Sequence, residues 1–467
     1  MNARYVFLAA LAASAAVAQV RVTAALNAAG YMRPGLHNGG LAQGAYIAIF
    51  GENIGPAGTF IANPPFQTTF QGVSARVGAT DLFVVYTTPN QVGAIIPSST
   101  PLGTLPLTVT RAGQTSATIN VEIVRRTFGL FTLNQAGSGP VVGLKFISVA
   151  NQPPSTLVEP MTPGGTITLF GTGLGASPNL DNVPATSSAV TGLAPGDVEV
   201  LFGGRRATPS FVGRSSCCAG IDQINVQIPA DAPLGCYVSL QVRVTGVMSN
   251  STTLSIAAPG SRACTDPNGY TADQLLRAQQ QGAFATGFIG LAKSRSQFTV
   301  AGRTVDQLSD TLFGNFERRT FDQLIRASGE SNFLADGSCT VYSFEGDNNP
   351  TPVDPIPATG LDAGPQLTAT AGGRSTQLEK VTTGGFRGLY LKAISPGIPG
   401  LPGIPGLPGG EPEFLTIGDH RVSGPRRPAG GGLYGKYQLA GYLQLDQPGS
   451  DHGGEPERGP HGQLDRR

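Results

Sequence analysis

The sequence predicts an all-β protein: two tandem immunoglobulin-like sandwiches followed by a third β-rich domain with one short helix. Three observations carry that expectation. The 467 residues include 65 Gly and 37 Pro, so breakers and turn formers recur too often for a long helical bundle. A 40% hydrophobic content is enough to give each of several domains a core. Above all, the chain repeats itself. Leu41-Ala-Gln-Gly-Ala-Tyr-Ile-Ala-Ile-Phe-Gly-Glu-Asn-Ile-Gly55 matches Met161-Thr-Pro-Gly-Gly-Thr-Ile-Thr-Leu-Phe-Gly-Thr-Gly-Leu-Gly175 at an offset of 120. Asn90-Gln91, Pro97 and Pro101-Leu-Gly103 match Asp222-Gln223, Pro229 and Pro233-Leu-Gly235 at an offset of 132. The 12-residue difference places a loop insertion in the second copy, within 176–195.

Each copy carries the same series of short β signals, β-branched and aromatic runs separated by Gly, Pro and Asn. In the first copy they are Tyr46 to Phe50, Val73 to Val77, Leu82 to Tyr86, Val92 to Ile96, Leu105 to Thr110 and Ala117 to Ile123. In the second they are Thr166 to Phe170, Val198 to Phe202, Ser210 to Gly213, Ile224 to Ile228, Val238 to Val244 and Thr252 to Ile256. Short strands without helical periodicity between them describe an antiparallel sandwich. Leu107, Val109, Ile119, Val121 and Ile123 alternate with polar neighbours, so one face is expected to pack inward. The expected domains are 20–125, 126–258 and 262–424. In the third, Thr271 or Asp273 caps a helix through Gln281. Strands are expected at Ala283 to Ala292, Ser296 to Val300, Thr311 to Arg318, Cys339 to Glu345, Asp362 to Ala371, Leu389 to Lys392 and Glu413 to Ile417.

Residues 1–18 have the pattern of a secretory signal peptide. Arg4 supplies the charged region, Tyr5 to Val17 an apolar stretch, and Ala16-Val17-Ala18 the cleavage site before Gln19. Such a stretch rises about 20 Å as a helix, short of the ~30 Å of a bilayer core, so no membrane span is expected in the mature chain. Export puts Cys217, Cys218, Cys236, Cys264 and Cys339 where pairing is the default. Cys218 is expected to bridge Cys236, and Cys264 to bridge Cys339; a vicinal Cys217 to Cys218 bridge is the competing arrangement.

The pattern Pro-Gly-x-x-[IV]-x-[IL]-Phe-Gly-x-x-[IL]-Gly, followed by Gln-[IV]-x-x-x-[IV]-Pro and Pro-Leu-Gly, resembles the TIG (IPT) immunoglobulin-like sandwich. The fuller run Cys217-Cys-Ala-Gly-Ile-Asp-Gln-Ile-Asn-Val-Gln-Ile-Pro229 with Gly235-Cys236 is similar to the uncharacterised C-terminal domain family of secreted Acidobacteria (Solibacter-type) proteins. The resemblance covers roughly 24–258. The first copy departs from it, with no cysteines and with Gly93 where the second has Asn225. It implies fold and export and assigns no activity.

The 31 basic and 30 acidic residues leave a net charge of +1, with no basic face for nucleic acid. Gly171-Thr-Gly-Leu-Gly175 looks like a phosphate loop, but Ser177-Pro178-Asn179 follows it instead of a helix, so a turn with glycines at positive φ is expected. His37, His420, His452 and His461 are scattered and make no triad. Asp347 to Asp354 has oxygen ligands without the pattern of a calcium loop. No metal or cofactor is therefore expected. Asp222 and Gln223 are candidates for a polar recognition edge, set against a role capping strand-end backbone groups. The loops 52–72 and 176–196 are the surfaces where a sandwich usually binds partners.

Gly397 to Gly409 spells Gly-[Ile/Leu]-Pro triplets, expected as a polyproline II excursion between strands. Residues 425–467 lose the alternation. They fit either a disordered tail or a stretch read in a shifted frame, in which 433–446 becomes strand-like and ends in Trp. The function expected is a secreted or cell-surface, non-catalytic structural and binding module, with polysaccharide or an envelope protein as partner. The alternative is a secreted hydrolase using Asp306, Asp310 and Glu317 of the third domain.

Overall fold

The computed structural model describes residues 19–148, 150–266, 270–300, 303–326, 359–382, 388–394, 414–416, 418–424 and 434–439. The chain's described residues are all-β apart from the short helices Ala272–Gln281 and Phe321–Arg326 and a 3-10 turn at Pro195–Asp197. The described residues fall into two compact units. The first holds both sandwiches and the helix Ala272–Gln281, and the second holds the antiparallel sheet that starts at Ala283.

In the first sandwich one sheet runs in the order Arg21–Asn27, Tyr46–Glu52, Gln91–Ile95, Phe83–Thr87, Phe60–Ile61. The other runs Leu41–Ala42, Ile119–Val124, Gly103–Arg111, Val73–Val77, Thr69–Phe70. The second sandwich repeats the plan. Gly129–Leu130, Thr166–Thr172, Asp222–Gln227 and Phe211–Arg214 face Gly139–Pro140, Thr252–Ile256, Gly235–Val244, Val198–Phe202 and Arg205–Ala207. The repeat seen in sequence is a repeat of register: Ala48 pairs with Gly93 as Thr168 pairs with Asn225. Val109 pairs with Ala75 as Val242 pairs with Val200.

Alternation puts one face of each sheet inward, and each sandwich has its own core. Ile47, Ile49, Val73, Val77, Val92, Leu107 and Val109 fill the first. Ile167, Leu169, Val200, Phe202, Ile224, Leu240 and Val242 fill the second. The strand Arg21–Asn27, directly after the predicted leader, had no counterpart among the sequence-derived strands; it pairs with Tyr46–Glu52 across one bulge.

In the second unit, Ala283–Val300 and Arg303–Thr320 form one long hairpin, continued by Leu389–Ile394, Arg374–Lys380, Gln366–Ala371, Gly418–Ser423 and Tyr434–Leu439. The sequence predicted a break between Ala292 and Ser296. The strand runs on because Lys293 lies opposite Asp310 and the two side chains form an ion pair at 3.0 Å, so the charge there has a cross-strand partner. Glu413 to Ile417, expected as a strand, is not one at its described residues Phe414 to Thr416, whose backbone instead caps Asp310. The helix before the hairpin starts as predicted: Gln274 N–H donates to Thr271 Oγ1 at 3.3 Å, and Gln274 Oε1 accepts from Thr271 N–H at 2.8 Å. Cys339 to Glu345, Asp347 to Asp354 and Gly397 to Gly409 lie outside the described residues, as do 1–18 and 440–467.

The cysteines pair differently from the expectation. Cys236 bonds Cys264, 28 residues on, and Cys217 and Cys218 are exposed and unbridged. Cys218 cannot reach Cys236 because the two lie beyond opposite ends of the strand Asp222–Gln227, about 20 Å apart at strand rise. Cys264 N–H donates to Leu157 O at 2.9 Å, which brings the chain back against the second sandwich and seats its sulfur beside Cys236. With Cys264 taken, the expected Cys264 to Cys339 bridge does not form. The observed bridge ties the segment after the last strand, Thr252–Ile256, to its own sheet. Cys264→Ser is expected to lower stability by about 3 kcal/mol, from the loop-closure entropy of a segment this long. Urea unfolding of the full chain, with the wild type in reducing buffer as a parallel, checks this.

Candidate functional site

Of the sequence-derived site residues, Asp222 and Gln223 lie on a hairpin at the joint between the two sandwiches and Cys218 in the turn of that hairpin, while Cys236 is bonded to Cys264 elsewhere. Across the hairpin of Phe211–Arg214 and Asp222–Gln227, Arg214 lies directly opposite Asp222. Both side chains are buried, at 4% and 0% exposure, and Arg214 Nη1 donates to Asp222 Oδ1 at 2.6 Å. The other carboxylate oxygen accepts from Leu174 N–H at 2.8 Å, and Arg214 Nη2 donates to Gly175 O at 2.6 Å. The pair is therefore saturated by the Gly171 to Gly175 turn, whose Gly173 and Gly175 have φ of 110° and 121°. That turn is the positive-φ glycine turn expected, and it serves a carboxylate and a guanidinium of its own chain. Burial pushes the Asp222 carboxyl up from the ordinary carboxylate range, while Arg214 and the Leu174 and Gly173 amides pull against it.

Asp222 opens its strand, and its carboxylate caps the Leu174 backbone N–H just past the end of the strand Thr166–Thr172, so it holds a turn of its own chain. A carboxylate without solvent contact presents nothing to a partner as a recognition edge. Gln223 is half-buried; its side-chain amide donates to Asn225 Oδ1 at 2.9 Å along the same strand.

The first sandwich closes over this pair. Gly44, at φ 68°, lies where a β-carbon would collide with the Arg214 guanidinium, so only glycine lets the first repeat's turn approach. Beside it, Tyr46 N–H donates to Thr172 Oγ1 at 2.8 Å, and Thr172 Oγ1 donates to Gly220 O at 2.7 Å. Asn27 Nδ2 donates to the carbonyls of Thr127 and Thr172, each at 3.1 Å. Thr127 Oγ1 donates to Gly40 O at 2.7 Å.

The two loops expected to bind partners bind each other's neighbourhoods first. Asp181, in the second copy's insertion, accepts from Ser98 N–H and Ser98 Oγ, both at 2.7 Å. Asn182 exchanges hydrogen bonds with Phe66, at 2.8 Å from Phe66 N–H and 3.2 Å to Phe66 O. Among the exposed residues of these loops are two large aliphatic ones, Ile61 at 72% and Leu180 at 73%, together with exposed polar residues such as Asn63 and Ser187.

The carboxylates of the alternative reading do not come together. Asp310 is buried, ion-paired to Lys293, and accepts from Phe414 and Leu415 N–H at 2.6 and 2.8 Å. Glu317 lies seven residues along the same strand, hence on the opposite face and about 23 Å away, held by Asn315 and Arg319. The side chain of Asp306 lies outside the described residues. Among the described residues no group of three His, Cys, Asp or Glu could hold a metal ion, and no helix is long and apolar enough to cross a membrane.

Sequence reasoning passed over Arg214 and Asp181. The signal for the first was available: a lone Arg eight residues before a lone Asp, across a turn, in a stretch with no other charge. No comparable signal marked Asp181, whose partner Ser98 belongs to the other repeat.

No family model matches the chain, and no curated protein does. Among solved structures it is similar to SGBP-B of the Bacteroides ovatus mixed-linkage glucan utilization locus, in complex with a mixed-linkage heptasaccharide. That match has 10% identity and a TM-score of 0.22, covering 64% of this chain and 68% of that one. It is also similar to domains 4–9 of the surface layer protein SbsC, at 13% identity and TM-score 0.13, covering 64% and 45%. A third similarity is to an endo-fucoidan hydrolase from glycoside hydrolase family 107, at 8% identity and TM-score 0.12, covering 60% and 40%. The chain spans less than half the length of the last two.

Asp222→Ala leaves a buried guanidinium without its counter-charge and is expected to cost about 3–5 kcal/mol, whereas an Arg214→Met, Asp222→Leu double variant recovers most of that loss. Chemical denaturation of the three variants checks it. Asp181→Ala is expected to speed amide hydrogen exchange at Ser98 while leaving exchange in both cores unchanged.

Proposed function

We propose that this chain is an exported, non-catalytic structural and binding module that presents its paired sandwiches to an envelope polysaccharide or envelope protein. The observation that carries this reading is the joint. A buried ion pair, a threonine bridge and the insertion contacts hold two sandwiches in one orientation, so that loops 52–72 and 176–196 make one composite surface. Ile61 and Leu180 stand about three-quarters exposed on those loops, where a partner would meet them. The observed disulfide, Cys236 to Cys264, fits an oxidising compartment, and the signal-like residues 1–18 supply the route there. The TIG-like motif in both repeats supports the same assignment.

The hydrolase reading depended on convergent carboxylates in the third region, and Asp310 and Glu317 point to opposite faces of one strand.

The full chain, screened against envelope polysaccharides and purified envelope proteins, is expected to retain one ligand class, with affinity reduced about tenfold or more by an Ile61→Ser, Leu180→Ser double variant. Release of sugar from any polysaccharide, or binding untouched by the double variant, overturns the reading. The exported form is expected to begin at Gln19, which N-terminal sequencing of the secreted fraction reads directly.

A further inference from the structure

We propose that Cys217 and Cys218 form a reversible thiol–disulfide site, a vicinal pair that exchanges electrons with disulfides and dithiols outside the chain. The cysteines among the described residues have two kinds of environment. Cys236 and Cys264 are 2% and 0% exposed with Cα atoms 5.2 Å apart, inside the range that a relaxed bridge requires. That pair is built to stay closed. Cys217 and Cys218 are both exposed, neither is bridged, and each has the other as its neighbour. Consecutive Cα atoms are only about 3.8 Å apart across a trans peptide, below that range, so a bridge between them is strained and readily reduced. Strained, exposed disulfides are the ones that open and close at accessible potentials.

The loop holds the two sulfurs in place. Ser215 N–H donates to Ile221 O at 3.0 Å and Ile221 N–H to Cys218 O at 3.4 Å, closing the segment on itself. Gly220, at φ 72°, turns the chain back, and its carbonyl is fixed by Thr172 at 2.7 Å. Ser215 Oγ donates to the Cys217 sulfur at 3.2 Å. The base of the loop is the buried Arg214–Asp222 pair, so the dithiol stands on a hydrogen-bonded framework.

The chemistry balances with a disulfide as the co-reactant. The Cys217 thiolate attacks one sulfur of an external disulfide and expels the other as a thiolate. The Cys218 thiolate then attacks the Cys217 sulfur and expels the second. Two electrons pass to the external disulfide, which leaves as two thiols carrying the two protons that Cys217 and Cys218 lose. The order follows from the surroundings: burial, then the hydrogen bond and charge of Cys217, push the Cys218 thiol up to about 12. Cys217 therefore attacks first, and once it is capped its own contribution to holding the Cys218 proton lapses.

The test is a redox titration of the full chain in glutathione and glutathione disulfide, quenched with acid, alkylated and mapped by mass. As the buffer becomes oxidising, the peptide bearing Cys217 and Cys218 is expected to pass from doubly alkylated to unalkylated and lighter by two hydrogen atoms. Cys236 and Cys264 stay bridged throughout. Cys339→Ser leaves the transition in place, and Cys218→Ser halts at a glutathione adduct on Cys217. A pair that takes up alkylating agent at every ratio overturns the proposal. So do a stable glutathione adduct in the wild type, a cross-link of either residue to Cys339, and the absence of any adduct in the Cys218→Ser variant.

Discussion

One buried ion pair sets the geometry of the sandwich unit. Moving Arg214 and Asp222 out of water costs several kcal/mol for each charge, and their mutual attraction offsets that only with good geometry and further hydrogen bonds. Here each charge has them: Asp222 accepts from Leu174 N–H, and Arg214 donates to Gly175 O. The net contribution to stability is small by this reckoning. What the pair contributes is uniqueness. It can be satisfied only when the Gly171 to Gly175 turn is folded, and its guanidinium leaves room only for a glycine at position 44 of the other sandwich. Each apolar core could form alone, but the joint requires both repeats to be in place.

The two repeats use one motif for different ends. In the second, Thr172 follows Gly171 and is fully buried, bridging Tyr46 N–H and Gly220 O. The equivalent residue of the first repeat is Glu52, which makes an exposed ion pair with Arg21 on the neighbouring strand, worth little in water. A glutamate at the joint would need a buried counter-charge, whereas a threonine needs one donor and one acceptor, both supplied by backbone. In the same way Asn90 at the first repeat's strand start is exposed, while its equivalent Asp222 is sealed in. The duplication thus preserves strand register while the solvent-facing end of one copy has become the buried end of the other.

That asymmetry explains what the sequence made legible. Strand positions, the all-β class, the repeat and the glycine turn all depend on local alternation and on residues within one copy, and Val73–Val77, Val198–Phe202 and Thr252–Ile256 fall where the pattern put them. The pairings between copies depend on which surfaces meet, and no periodicity encodes that. Asp222 beside Gln223 has the look of an exposed polar pair because its counter-ion, eight residues earlier, is adjacent only once the hairpin forms. The cysteines misled for a related reason. Separation along the chain suggested Cys218 and Cys236, but a strand stands between them, and the partner that folds back is Cys264. The loop 176–196 reads as a free binding surface because it lies at the end of a sandwich, yet Asp181 and Asn182 are bonded to Ser98 and Phe66.

The joint also separates what is fixed from what is adaptable. Its interior holds the ion pair, in which Arg214 Nη1 and Asp222 Oδ1 meet each other while Asp222 Oδ2 and Arg214 Nη2 meet backbone groups. The residues left outward on the same framework are of other kinds: aliphatic side chains at Ile61 and Leu180, and the sulfurs of Cys217 and Cys218. A loop changes state without disturbing its scaffold only if the scaffold's own bonds do not run through the groups that change. The Ser215 to Ile221 loop meets that condition, because its anchors are the Arg214–Asp222 pair, the Ile221 backbone and the Gly220 carbonyl, and none of them uses a sulfur. Rigidity in the joint and lability at its rim are consequences of the same arrangement of charges.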